Sequence, residues 1–121
     1  MKIVKFSDIK AEEEASDLFE GGKVTSQRAI HAKDSEAGLR VGIVNFSPGA
    51  KNKLHTHSFW QLLYVTEGKG IVSTGEEEHI VTPGTIIYIP PGEPHWHGAT
   101  KNTSFSHITI TIPGETGKTS W

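Results

Sequence analysis

Cysteine is absent from the 121-residue chain, which excludes disulfides, thiolate metal sites and a cysteine nucleophile. Long apolar runs are missing as well. No stretch approaches a membrane span, and the opening MKIVKFSDIKAEEEAS lacks the apolar core of a secretion signal. An excess of one charge is also lacking: 12 basic residues stand against 14 acidic ones, with a pI near 6.4. Nothing in that balance calls for nucleic acid or an anionic membrane as a partner, and no DNA-binding helix pair is visible. The expectation is a soluble cytoplasmic protein.

What is present suits a single β domain. A chain of this length holds one core. Its 13 glycines and 6 prolines punctuate segments rich in Thr, Ile and Val, the composition of short strands joined by tight turns. Strands are expected over Lys23 to His31, Leu39 to Phe46, Gln61 to Thr66, Lys69 to Thr74, Glu77 to Val81, Thr85 to Ile89, His95 to Ala99 and Thr103 to Ile112. Residues 1–22 read as an N-terminal arm, with a short helix expected over Asp8 to Phe19. Residues 23–112 read as a barrel or sandwich and 113–121 as a tail.

Three histidines and a glutamine carry the chemistry. His55 and His57 are two apart, so both point to one side of a strand. Gln61 has the same parity, and a bend at Ser58-Phe59-Trp60 could bring its amide oxygen towards the two imidazoles. His95 must arrive from elsewhere in the fold. His97, two beyond His95, should face the same interior side, and the plain reading is a structural histidine bonded to backbone. In the last strand Phe105, His107, Thr109 and Thr111 share one face, and Ile108, Ile110 and Ile112 the other. If His107 looks inward, the isoleucines look outward. They then need cover from the arm or from a second subunit, and a homodimer is expected.

These stretches resemble the cupin superfamily. Its first signature is a Gly, five residues, His-x-His, three or four residues, Glu, six residues, Gly; Gly49, His55, His57 and Gly68 fit, with Gln61 in place of the glutamate. Its second is a Gly, five residues, Pro-x-Gly, two residues, His; Gly84, Pro90, Gly92 and His95 fit in register, although Ala99 replaces the asparagine that often follows. The resemblance covers roughly residues 38 to 112 and implies an all-β, double-stranded β-helix (jelly-roll) barrel. It also implies one divalent metal on His55, His57, Gln61 and His95. Manganese or iron comes first by resemblance, with nickel, zinc or copper open to the same donors. Gln61 in place of a carboxylate removes one negative charge, which weakens affinity and sharpens the ion's Lewis acidity. The alternatives are a metal-free barrel with a vestigial site and, for Gln61, a hydrogen bonder behind the ligands.

Within the superfamily, His95-Trp96-His97-Gly98-Ala99 followed by His107 is similar to the small bacterial cupins that act as manganese-dependent hydroxynitrile lyases. That resemblance implies a lyase acting on cyanohydrins or similar hydroxy and carbonyl compounds. The metal would serve as Lewis acid and His97 or His107 would move the proton. Two rivals remain: an oxygen-dependent cupin dioxygenase, and a non-catalytic small-molecule binding cupin. His31 and His79 read as ordinary surface or strand residues, and Trp60 and Trp96 as core aromatics that could line the cavity. The runs Glu12-Glu13-Glu14 and Glu76-Glu77-Glu78 read as solvated faces.

Overall fold

The computed structural model describes residues 1–121, and its regular secondary structure is almost wholly strand. In chain order these are β1 (Glu12–Glu13), β2 (Phe19–Glu20), β3 (Val24–Ile30), β4 (Arg40–Phe46), β5 (Lys51–Asn52), β6 (Thr56–His57), β7 (Gln61–Gly68), β8 (Gly70–Ser73), β9 (Glu78–Val81), β10 (Ile86–Ile89), β11 (Trp96–Ala99), β12 (Phe105–Thr111) and β13 (Thr119–Ser120). One sheet has the order β1-β3-β4-β12-β7-β10, a second β2-β5-β11-β8-β9, and β13 pairs with β6. Every pairing is antiparallel. The last long strand, β12, lies between β4 and β7, so residues far apart in the chain become neighbours.

The alternation read from the sequence sets which side chains go in. Leu63 and Val65 of β7 are fully buried, while Leu62 and Tyr64, of the opposite parity, are half-buried and exposed. The core joins Val24, Phe46, Val65 and Phe105 of the first sheet to Val81 and Ala99 of the second. Phe46 and Phe105 lie 5.8 Å apart at its centre. At the β7–β8 turn Gly68 has φ +76°, and a Cβ there would run into the Ser104 carbonyl, so both the conformation and the close approach require glycine.

The N-terminal segment departs from expectation. No helix spans Asp8 to Phe19; a single 3-10 turn covers Phe6–Asp8, and the chain then adds β1 and β2 to the sheet edges. Ile9, Leu18 and Phe19 do not recur at helical spacing, whereas the open edges of β3 and β5 offer backbone partners. Within residues 113–121, Thr119 and Ser120 form β13, with Thr119 opposite His57 of β6. No helix is long and apolar enough to cross a membrane.

On the outer face of the six-stranded sheet Ile108 stands between Ile43 and Tyr64, and Ile110 between Val41 and Leu62. Ile86 and Tyr88 extend this face and are 63% and 61% exposed. The arm is tied down by Gln27, whose Nε2 donates to the carbonyls of Phe6 and Ile9 at the β3 side. Tyr64, Ile86 and Tyr88 stay uncovered.

Candidate metal centre

Five of the seven histidines meet in the interior, and His31 and His79 lie elsewhere, His79 beside Glu77 on the surface. His55 and His95 come from distant segments but form a hydrogen-bonded cross-strand pair, each N–H donating to the other's carbonyl at 3.0 Å. Opposed residues of such a pair project to the same side. His57 follows on β6 with the parity of His55. The Gly92 N–H donates to the His57 carbonyl, so the Pro90-Pro91-Gly92 turn is fastened to β6.

The ring nitrogens of His55, His57 and His95 come within 4.8 Å of one another, a grouping that could hold a metal ion. All three rings are anchored alike, through Nδ1. His55 Nδ1 donates to the Lys53 carbonyl at 2.7 Å, His57 Nδ1 to Phe59 at 2.6 Å, and His95 Nδ1 to Glu93 at 2.8 Å. A carbonyl can only accept, so each Nδ1 carries the hydrogen and each neutral ring presents an Nε2 lone pair. His95 Nε2 is buried with no partner. Phe59 also stacks on His57, with centroids 4.6 Å apart and planes at 9°.

Gln61 opens β7 on the inner face. Its Nε2 donates to Thr109 Oγ1 at 2.8 Å, which turns Oε1 towards His57 Nε2 at 3.1 Å. With His57 protonated on Nδ1, two lone pairs then face each other and no hydrogen lies between them. A cation would relieve that opposition. Bonds of about 2.1 Å at a right angle place two donors about 3.0 Å apart, close to the spacing seen.

His97 and His107 are buried beyond these side chains, their centroids 4.9 Å apart. His97 is held by the side chain of Asn52, not by a backbone carbonyl as the plain reading had it. His107 donates weakly from Nδ1 to the Ile108 carbonyl at 3.3 Å. A cavity of about 220 Å³ joins His55, His57, Gln61, His97 and His107 to an apolar side containing Leu18, Phe19 and Phe59. Neither Trp60 nor Trp96 lines it; Trp96 packs under Lys51 instead. A larger hollow of about 620 Å³ shares Arg40, Val44, Thr109 and Thr111 with it. Asn52, Phe59, Thr109 and the two tail residues Pro113 and Thr119 escaped the sequence reading. Thr109 has the parity of His107 and so had a signal; Asn52 had none.

Burial favours the neutral form of His55, His95, His97 and His107. It pushes His95 and His107 down to about 4 and lowers His55 and His97, the latter well below the ordinary 6.5; neighbouring imidazoles add to the effect on His55, His95 and His97. The unfolded chain takes up protons as pH falls through 6.5, and the folded chain does so at these two rings only near 4. Stability is therefore full above about 6.5 and lost between that value and about 4, on the order of 3 kcal/mol for each of the two rings. Thermal melts of metal-free protein should show a steep fall in Tm from pH 7 to pH 5, and a flat profile there would refute the burial of neutral histidines.

A barrel that gathers His-x-His from one strand and a third histidine from a Pro-Pro-Gly turn has close relatives. The (R)-mandelonitrile lyase of Granulicella tundricola is 41% identical over 68 residues, which cover 55% of this chain and 52% of the lyase. The chain thus spans about half the length of that curated relative. Among solved structures, a cupin-like protein from Thermotoga maritima superposes with a TM-score of 0.83 at 33% identity, over 90% of this chain and 82% of that one. A polyketide cyclase from Streptomyces resistomycificus does so with a TM-score of 0.81 at 25% identity, over 92% and 78%. Residues 42–111, the stretch that holds His55, His57, Gln61 and His95 and both deeper histidines, match the Cupin domain family, and the chain belongs to it.

Proposed function

We propose that the chain is a metal-dependent carbon–carbon lyase that cleaves a cyanohydrin, or a hydroxy compound like it, to a carbonyl compound. His55, His57, Gln61 and His95 serve as ligands, with manganese or iron as the ion, and His97 and His107 handle the proton. One observation carries this reading: the opposition of His57 Nε2 and Gln61 Oε1, beside the buried imidazoles of His55 and His95, the latter with no partner at Nε2. The match to a mandelonitrile lyase supports it.

A divalent ion held by four neutral donors supplies Lewis acidity to a substrate oxygen. The rest falls to the chain. The apolar side with Leu18, Phe19 and Phe59 takes the organic group, and the buried pair His97 and His107 meets the reacting hydroxyl away from bulk water. As the carbonyl forms, the hydroxyl proton is taken up, the electrons of the carbon–carbon bond leave with cyanide, and cyanide gains a proton. A neutral imidazole can take up the hydroxyl proton, and the imidazolium so formed can give it to cyanide.

The deciding experiment measures metal in protein purified without added metal, then mandelonitrile cleavage with and without oxygen on the same sample. About one divalent ion per chain with oxygen-indifferent cleavage is expected. Activity that requires oxygen would replace the lyase with a dioxygenase, and an empty site that metal addition does not fill would leave a binding module.

The chain is further proposed to act as a homodimer through the outer face of β4, β12, β7 and β10, where Tyr64, Ile86 and Tyr88 are too apolar to leave in water. Ile86→Lys with Tyr88→Lys should yield a folded monomer by light scattering. A wild-type monomer at micromolar concentration would refute the dimer.

A further inference from the structure

Two buried ring nitrogens outside the proposed ligand set lack any hydrogen-bond partner: Nδ1 of His97 and Nε2 of His107. What holds the other side of each ring decides its character. Asn52 is 4% exposed, and its Oδ1 accepts the backbone N–H of His97 at 2.8 Å. That bond settles the orientation of the amide, because a backbone N–H needs an acceptor. Asn52 Nδ2 is left facing His97 Nε2 at 3.2 Å, and an amide NH2 can only donate. His97 Nε2 therefore bears the lone pair, and the ring hydrogen sits on Nδ1.

His107 is the opposite case. Its Nδ1 faces the Ile108 carbonyl, an acceptor, so Nδ1 carries the hydrogen and Nε2 the lone pair. The interior thus contains one unpartnered donor and one unpartnered acceptor on neighbouring rings set at 80°. A hydroxyl group is what such a pair fits, since its oxygen accepts one hydrogen bond while its hydrogen donates another.

We infer that Asn52 is a positioning residue: it holds His97 as a hydrogen-bond donor, so that His97 and His107 together receive a substrate hydroxyl, His97 giving to the oxygen and His107 taking the hydrogen. With the opposite tautomer both rings would present lone pairs, and one hydroxyl hydrogen can satisfy only one of them. The effect on turnover rests on the lyase reading above; the tautomer rests on hydrogen-bond direction alone.

Asn52→Asp tests this with almost no change of shape. One carboxylate oxygen keeps the bond to the His97 N–H, and the other accepts from Nε2–H, so the ring hydrogen moves to Nε2. Long-range proton–nitrogen correlation spectra of the zinc-loaded full chain at pH 8 report the tautomer, zinc being diamagnetic. The wild type should show His97 protonated on Nδ1, and Asn52→Asp on Nε2. The manganese-loaded variant should keep its metal content and KM for mandelonitrile while kcat falls on the order of 100-fold. Asn52→Leu, which removes both bonds, should show a mixture of tautomers and covers the case in which the aspartate variant does not fold. A wild-type ring protonated on Nε2, an unchanged tautomer in both variants, or a reversed tautomer with undiminished kcat would overturn the inference. Wild-type protein that shows the expected tautomer yet cleaves no mandelonitrile would instead refute the lyase reading, and the spectra would still decide the role of Asn52.

Discussion

His95→Ala should leave a folded chain that no longer retains metal. His95 is 1% exposed, its Nδ1 is committed to the Glu93 carbonyl, and its Nε2 is buried without a partner beside those of His55 and His57. It is also the one donor supplied by the second signature, so the remaining donors all come from the segment 55–61. Losing an outer partner of a ligand typically costs 10–100-fold in affinity. Losing the ligand itself should cost more than about 100-fold. Titration calorimetry with manganese, alongside metal analysis of the purified variant, reads the effect directly. Cleavage activity should disappear with the metal. The metal-free variant should in turn be less sensitive to acid than metal-free wild type, because a ring whose protonation is suppressed by burial is gone. A variant that still carries one ion per chain would refute the three-histidine centre.

His107→Ala should do the reverse, keeping the metal and losing turnover. His107 is fully buried on β12, outside the group of three, with its ring against Phe46 and Phe105 and its Nε2 unpartnered. None of the ligand rings lies against it. Removing a positioned acid–base group costs 10²–10⁴-fold in rate, so kcat should fall at least about 100-fold with one metal per chain retained. Loss of metal in parallel would make His107 a structural support of the centre, and retained activity would end its proposed role. The pair of variants separates holding the ion from moving the proton, two tasks that the five clustered histidines otherwise blur.

Much of the centre was legible because its information is local. Two residues of separation place His55 and His57 on one side of a strand, and the same parity rule sends Leu63, Val65 and His107 inward and Tyr64 and Ile108 outward. Turn residues delimit the strands: the signature glycines Gly49, Gly68, Gly84 and Gly92 all have positive φ, and at Gly68 the Ser104 carbonyl also leaves no room for a Cβ. The helix expected over Asp8 to Phe19 failed for a reason the segment itself does not contain. Its backbone is claimed by the edges of β3 and β5, which exist only once the barrel has formed.

The sequence by itself determined the strand pattern, the inward set of side chains and the chemical type of the donors, since each depends on period-two alternation or on residue identity. Only the tertiary structure decided which of those donors meet. Insertion of β12 between β4 and β7 brings Thr109 to Gln61 and so aims the amide oxygen at His57. Pairing of His55 with His95 closes the ligand set across forty residues of chain. Approach of β5 to β11 sets Asn52 behind His97. Each is a contact between distant segments whose geometry follows from closure of the sheets around Phe46 and Phe105, and closure is a property of the whole chain that no local pattern encodes.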